Sequence, residues 1–86
     1  MNKPVIEVFG RNNCPWCDRA KELLEKRGYR FVYRLVTSDL LPEFTQRTKG
    51  AKTVPQIFVG SHHIGGFQEV SAADADGRLQ QLIGGM

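Results

Sequence analysis

The segment Cys14-Pro15-Trp16-Cys17 is the part of this 86-residue chain whose residue types and spacing best suit chemistry. These are the only two cysteines, and their spacing lets the two sulfur atoms close into one small disulfide ring. Cys14 falls where a predicted strand gives way to a helix, and the unpaired N–H groups of a helix N-terminus stabilise a thiolate. Because the thiolate is the nucleophilic form, the segment predicts redox exchange rather than a structural crosslink.

The pKa of Cys14 is expected to be strongly lowered. Free cysteine titrates near ~8.5, so about 3% is thiolate at pH 7, whereas a pKa of ~5 would ionise nearly all of it. That shift needs about 4.8 kcal/mol, and a helix N-terminus supplies at most about 2 kcal/mol. Hydrogen bonds to sulfur and the nearby cations Arg11, Arg19 and Lys21 must therefore contribute. Pro15 suits the first helical position.

Composition and charge narrow the class of protein. The length predicts one domain over residues 1–86, and 41% apolar with 24% charged residues is typical of a soluble globular protein. There is no apolar run of membrane-spanning length and no signal-peptide pattern, so the cytoplasm is the expected compartment and no membrane partner is expected. The net charge is +3, but basic residues alternate with acids, as Glu22 and Lys26 do. This favours small anionic ligands or acidic proteins over nucleic acid.

The first half of the chain predicts a βαβ unit. Residues 5–9 form a short apolar run that predicts a strand, followed by a loop over residues 10–13. From Pro15, apolar residues recur at helical spacing until Gly28 ends the helix. Residues 29–36 are rich in aromatic and branched side chains and predict a second strand. A right-handed crossover would make the two strands parallel.

The second half predicts a helix, a hairpin and a last helix. Residues 38–49 predict a short helix, but Pro42 means that the sequence does not fix the residue at which the helix begins. Residues 57–64, with Gly-Ser at their centre, predict a tight hairpin. Ser71, with Asp74 three residues later, predicts the cap of the last helix. The order β-α-β-α-β-β-α predicts an α/β fold of the thioredoxin kind, a three-layer sandwich with a four-stranded mixed sheet.

Four segments, taken together, make the chain resemble the glutaredoxin family over essentially its whole length. They are Phe9-Gly10-Arg11, the Cys14–Cys17 segment, residues 53–59 (TVPQIFV) and His63-Ile64-Gly65-Gly66. The residues of these segments are most similar to those of dithiol bacterial glutaredoxins, which reduce ribonucleotide reductase and glutathione mixed disulfides. The resemblance implies a glutathione-dependent thiol-disulfide oxidoreductase, monomeric and without a metal, whose partners are glutathione and glutathionylated proteins.

The resemblance also implies roles for individual residues. Cys14 is expected to be the exposed nucleophile and Cys17 the sheltered resolving thiol. Pro55 is expected to be cis and to face the cysteines, leaving the backbone of Val54 free to pair with the cysteinyl segment of glutathione. The other expected glutathione contacts are Arg11, Pro15, Trp16, Thr53, Gly66, Phe67, Gln68 and Glu69, with Lys52 as a further partner for carboxylates.

Two departures from the family pattern concern substrate recognition. Trp16 stands where the family usually has Tyr, which keeps an aromatic wall but replaces a hydroxyl with an indole N–H. Gln68-Glu69 stands where many members carry Thr-Asp, Ser-Asp or Asp-Asp to hold the γ-glutamyl end of glutathione. Both changes predict altered substrate preference.

Several of these residues have a purely structural alternative. A zinc site would need His62 and His63 to converge on the cysteine pair from distant elements, and a second Cys-x-x-Cys is missing. Pro55 could simply open a strand, and Arg11 and Lys52 could be solvated surface charges.

Three other functions share the motif. A redoxin reduced by thioredoxin reductase would use the same dithiol without glutathione. An iron-sulfur cluster carrier would use Cys14 from two chains together with glutathione, and Pro15 disfavours it because glutaredoxins with that proline seldom hold clusters. A non-enzymatic interaction module would have a Cys14 no more reactive than a free thiol.

Overall fold

Four strands form one sheet, and four helices flank it, in residues 4–84, the part of the chain that the computed structural model describes. The strands are β1 (Ile6–Gly10), β2 (Val32–Leu35), β3 (Gln56–Val59) and β4 (His62–Gly65). The helices are α1 (Pro15–Lys26), α2 (Leu41–Thr48), α3 (Phe67–Ala75) and α4 (Arg78–Ile83). None of the helices within residues 4–84 combines the length and the apolar character needed to cross a membrane.

The sheet is mixed, with strand order β2-β1-β3-β4. β1 runs parallel to β2 and antiparallel to β3, and β3 pairs with β4 in the predicted hairpin. The parallel pair confirms the predicted βαβ crossover. The four-stranded mixed sheet with helices confirms the predicted α/β fold of the thioredoxin kind.

Alternating side chains of β1 and β3 divide the core into two clusters on opposite faces of the sheet. Val8 and Ile57 belong to the larger cluster, which includes buried residues of α1, α3 and α4. On the other face, the buried rings of Phe9, Phe44 and Phe58 form a second cluster between the sheet and α2. Both faces of the central strands are therefore covered.

Four charged side chains extend the cover on the α2 face. The guanidinium groups of Arg34 and Arg47 each pair with Glu7, at 3.0 and 2.8 Å, and with Glu43, at 2.8 and 3.4 Å. Both guanidiniums also lie over the Phe9 ring, at 5.0 and 5.4 Å from its centroid. The network links β1, β2 and α2, and its arginines shield aromatic surface that the short helix leaves open.

Two predicted elements are shorter than expected. β2 covers residues 32–35 rather than 29–36, because only those residues oppose β1. Tyr29 and Phe31 instead pack against the larger core cluster. α2 begins at Leu41 rather than at residue 38, after a turn in which the Leu40 N–H donates to the Thr37 carbonyl at 3.1 Å. Pro42 lies in the first turn, where a proline is tolerated.

The predicted start of the last helix is wrong. Ser71 lies inside α3, which begins at Phe67, and Gly66 is its N-cap residue. Glu69 Oε1 accepts a hydrogen bond from the Gly66 N–H at 2.8 Å, which satisfies one of the free donors of the first turn. The C-terminal segment is also two helices rather than one, because Gly77 adopts a left-handed conformation (φ +87°) between α3 and α4.

Candidate active site

The cysteine motif lies at the junction of a loop and α1. Cys14 is the N-cap residue, with extended backbone (φ −121°, ψ 98°), and its carbonyl accepts from the Asp18 N–H at 3.0 Å. Pro15 is the first helical residue, where its missing N–H costs nothing, as predicted. The sulfur of Cys14 is thus held at the positive end of the α1 dipole.

The two sulfur atoms have different environments. Cys14 and Cys17 are joined by a disulfide, with their Cα atoms 5.2 Å apart. Cys14 is half-buried, whereas Cys17 is fully buried, at 0% exposed. The Cys17 N–H donates to Cys14 Sγ at 3.1 Å, a contact that would also stabilise a Cys14 thiolate after reduction. Cys14 therefore has both the access and the hydrogen-bond donor that a nucleophilic sulfur requires.

Residues 53–55, which we call the cis-proline loop, face the cysteines. The Val54–Pro55 peptide bond is cis, as the resemblance implied. The Val54 carbonyl oxygen lies 4.0 Å from Cys14 Sγ. The loop therefore brings the backbone of Val54 close to the half-buried Cys14 sulfur.

A cavity of about 300 Å³ adjoins the motif and brings together eight of the predicted glutathione contacts. We call it the site cavity. Its lining residues are Trp16, Thr53, Val54, Pro55, Gly66, Phe67, Gln68 and Glu69. They come from three places in the chain, because the start of α1, the cis-proline loop and the start of α3 meet at one end of the molecule.

One wall of the site cavity is aromatic. Trp16 is 49% exposed, and its ring centroid lies 5.5 Å from that of Phe67. The Arg19 guanidinium lies 4.6 Å from the Trp16 centroid. Trp16, which stands where the family usually has Tyr, therefore places a broad ring close to Cys14, with the Arg19 cation next to that ring.

The structure gives Glu69 a second role. Its carboxylate caps α3 through the Gly66 N–H, as described above, while it also lines the site cavity. Neighbouring Gln68 is exposed. A ligand bound here would meet a carboxylate already fixed in orientation by the helix.

Arg11 and Lys52 lie outside the site cavity and line a second one of about 230 Å³. Thr53 and Val54 line both cavities, so the cis-proline loop is their common wall. The backbone carbonyl of Arg11 accepts from the Tyr33 hydroxyl at 3.1 Å, and Arg11 is exposed. The predicted cations are therefore beside the site cavity, while Pro15 lines neither cavity.

A hydrogen-bonded pair behind the cis-proline loop was missed from the sequence. Gln56 and His63 lie on adjacent strands, with His63 Nε2 2.7 Å from Gln56 Oε1. Burial, with lesser effects of nearby His62 and Arg47, lowers the pKa of His63. A signal was present in the sequence, because strand alternation places Gln56 and Phe58 on one face and a tight hairpin puts His63 opposite Phe58.

The described residues offer no group of ligands for the zinc site considered above. Within residues 4–84, no three or more His, Cys, Asp and Glu side chains lie close enough together to hold a metal ion.

Curated relatives match almost the whole chain. The family model for glutaredoxin matches residues 6–64, which include both cysteines and the cis-proline loop. Glutaredoxin 3 of Escherichia coli strain K12 is 37% identical over 79 residues, which cover 91% of this chain and 95% of that protein. The Pseudomonas aeruginosa glutaredoxin is 35% identical over 83 residues, covering 93% and 96%.

Solved structures agree with these sequence matches. The solution structure of glutaredoxin from Brucella melitensis has a TM-score of 0.82 and 34% identity, covering 99% of this chain and 94% of that one. The crystal structure of a buckwheat glutaredoxin-glutathione complex has a TM-score of 0.76 and 31% identity, covering 93% and 76%. Since the family model spans most of the chain and relatives above 30% identity match it nearly end to end, this chain belongs to the glutaredoxin family.

Proposed function

We propose that this protein uses glutathione to reduce glutathione mixed disulfides and protein disulfides. One observation carries the proposal: Cys14, at the N-cap of α1 with the Cys17 N–H 3.1 Å from its sulfur, lies 4.0 Å from the carbonyl oxygen of Val54, which lines the site cavity. Family membership makes the dithiol a thiol-disulfide exchange centre. The use of glutathione is the further step proposed here.

On a glutathionylated protein, Cys14 acts alone. Its thiolate attacks the glutathione sulfur, a Cys14–glutathione disulfide forms, and the protein leaves as a thiolate that takes up a proton. A second glutathione thiolate then attacks the glutathione sulfur of that mixed disulfide. Cys14 leaves as a thiolate and oxidised glutathione is released, with one half from the substrate and the other from the one reduced glutathione that the cycle consumes.

On a protein disulfide, both cysteines act. Cys14 attacks one sulfur of the substrate and forms a mixed disulfide, and the other substrate sulfur leaves as a thiolate. Cys17 then attacks the Cys14 sulfur, which releases the reduced substrate and forms the Cys14–Cys17 disulfide seen in the structure. Two glutathione molecules reduce that disulfide in turn. Ribonucleotide reductase is a substrate of this class that we propose to test.

The geometry of the two cavities supports glutathione as the ligand. The backbone of Val54, whose carbonyl oxygen lies 4.0 Å from Cys14 Sγ, suits strand-like pairing with a peptide whose sulfur meets Cys14. The aromatic pair Trp16 and Phe67 would cover the peptide, and Arg11 and Lys52 in the adjoining cavity would attract a carboxylate. The solved glutathione complex of the buckwheat relative supports the same assignment.

We further propose that the protein works as a monomer in the cytoplasm. Reduced glutathione keeps thiols reduced in that compartment, which supplies the electrons that the cycle consumes.

The test is a coupled assay with glutathione, glutathione reductase and NADPH on a glutathionylated peptide. We expect turnover in this assay and little with thioredoxin reductase and NADPH in place of the glutathione system. Lys52→Gln should raise KM for the peptide about two- to fivefold through loss of one exposed charge contact. Lys26→Gln, at the far end of α1, is the matched control and should leave KM unchanged. Turnover with thioredoxin reductase and NADPH, and none with the glutathione system, would refute the use of glutathione.

A further inference from the structure

His63 stands at the outer end of a hydrogen-bond chain that reaches the site cavity. Its Nε2 lies 2.7 Å from Gln56 Oε1. The Gln56 amide nitrogen lies 3.1 Å from the Thr53 carbonyl oxygen and 3.3 Å from Thr53 Oγ1. Thr53 in turn lines both cavities. The chain therefore links β4, through the buried side chain of Gln56, to the cis-proline loop.

The chemistry of the partners fixes the direction of each hydrogen bond. The Thr53 carbonyl can only accept, so the Gln56 amide nitrogen must face it and donate. The Gln56 amide oxygen then faces His63, and because that oxygen can only accept, Nε2 of His63 must carry a hydrogen. His63 is thus the donor that orients the amide, and the amide is the donor that holds Thr53.

The imidazole ring is itself held in place by an aromatic contact. It stacks on the buried ring of Phe58, with centroids 4.6 Å apart and planes 16° apart. The stacking fixes the plane of the ring, and the hydrogen bond to Gln56 fixes which nitrogen faces β3. His63 therefore combines two separable features: a flat ring that packs on Phe58 and an N–H that reaches Gln56.

We propose that His63 is a positioning residue, which through Gln56 holds the cis-proline loop in the conformation that binds substrate. This inference rests on the proposed function, since the loop is the common wall of the cavities assigned to glutathione. Without the His63 donor, the buried oxygen of Gln56 loses its partner and the amide is free to turn away from Thr53. The loop then samples more conformations, and substrate binding weakens while the sulfur chemistry at Cys14 is unchanged.

Two substitutions separate the donor from the ring. His63→Phe keeps a ring on Phe58 and removes the N–H, and we expect it to raise KM for a glutathionylated peptide about five- to tenfold with little change in kcat. His63→Gln keeps an N–H at the corresponding distance from the backbone and loses the stacked ring, and it should restore KM to within about twofold of the wild type. A purely structural role for the ring would give the reverse order.

Deuterium exchange provides a readout that does not depend on turnover. Uptake in a peptide covering residues 50–55 should rise in His63→Phe and remain at the wild-type level in His63→Gln. His62→Phe is the matched control, because His62 opposes Val59 rather than Phe58, and it should change neither KM nor uptake.

The outcomes distinguish this inference from the proposed function. An unchanged KM and unchanged loop uptake in His63→Phe would overturn the positioning role while the wild type still turns over with glutathione. A wild type that fails the glutathione-coupled assay would overturn the proposed function, and the uptake pattern would still decide whether His63 holds the loop.

Discussion

At the residue scale, the two cysteines illustrate how position alone separates two identical side chains. Cys14 caps α1, receives the Cys17 N–H, and has Arg11 three residues before it. Cys17 is fully buried one helical turn later. The helix N-terminus and the hydrogen bond favour a charged sulfur at Cys14, whereas burial disfavours one at Cys17.

We therefore expect the pKa of Cys14 to lie well below the ordinary value of about 8.5, and that of Cys17 to lie above it. Thiolate absorbance in the ultraviolet, followed against pH in Cys17→Ser and Cys14→Ser, reports each thiol separately. In Cys17→Ser the backbone N–H at position 17 remains, so the donor to Cys14 is preserved. A Cys14 midpoint near the ordinary value would show that the helix terminus and its neighbours do not activate this sulfur.

At the element scale, the end of β1 shows how the sheet supports the loop that leads into the motif. Gly10 lies against Tyr33 of β2, whose hydroxyl donates to the Arg11 carbonyl at 3.1 Å. The Lys21 ammonium of α1 lies 4.0 Å from the Tyr33 ring centroid. One tyrosine thus joins β2, the loop after β1, and α1.

Gly10→Ala should lower the free energy of unfolding by about 1–3 kcal/mol, because its Cβ would overlap the Tyr33 side chain. Chemical denaturation measures the loss. The same substitution in a Tyr33→Ala background should cost less, since the clashing ring is absent. Equal costs in the two backgrounds would show that the overlap with Tyr33 is not the cause.

The elements that the sequence predicted well are those with one dominant pattern. The βαβ unit was predicted from an apolar run, an amphipathic helical pattern and a segment rich in branched and aromatic side chains. The structure contains the corresponding β1, α1 and β2. The start of α3 was missed because two cap signals compete, Ser71 with Asp74 and Gly66 with Glu69. Burial of Val70 and Ala73 decides between them, since a helix that carries both into the core must begin before Ser71.

The sequence predicted which residues belong to the candidate site better than it predicted the contacts between them. Eight predicted residues meet at one cavity because the start of α1, the cis-proline loop and the start of α3 lie at the same end of the molecule. The chain from His63 through Gln56 to Thr53 depends on the hairpin register, which is irregular between Ile57 and Phe58. Strand alternation gives the face of each residue, but it does not give the distance between side chains across such an irregularity.

At the scale of the whole molecule, the balance of charge agrees with the chemistry at the site. The chain carries a net charge of +3, and Arg11, Arg19 and Lys52 lie around the motif and its two cavities. The arginines of the α2 face are instead neutralised by Glu7 and Glu43. These three cations are therefore placed where they would favour a thiolate at Cys14 and an anionic ligand in the two cavities.

In the proposed catalytic cycle of the whole molecule, Cys14 attacks the substrate disulfide and Cys17 resolves the mixed disulfide. Removing a glutathionyl group needs only Cys14, because a second glutathione completes the cycle. Reducing a protein disulfide also needs Cys17, because the captured substrate must be released before it re-forms its own bond. Activity on a glutathionylated substrate therefore reports on Cys14 alone, whereas activity on a protein disulfide reports on both cysteines.

The most direct test measures Cys17→Ser and Cys14→Ser on a glutathionylated peptide and on a protein disulfide, with glutathione as reductant. Cys17→Ser should keep the peptide activity to within about threefold and lose about 100-fold on the protein disulfide. Cys14→Ser should lose both activities. Substantial activity of Cys14→Ser on the glutathionylated peptide would contradict the assignment of Cys14 as the nucleophile, and with it the proposed cycle.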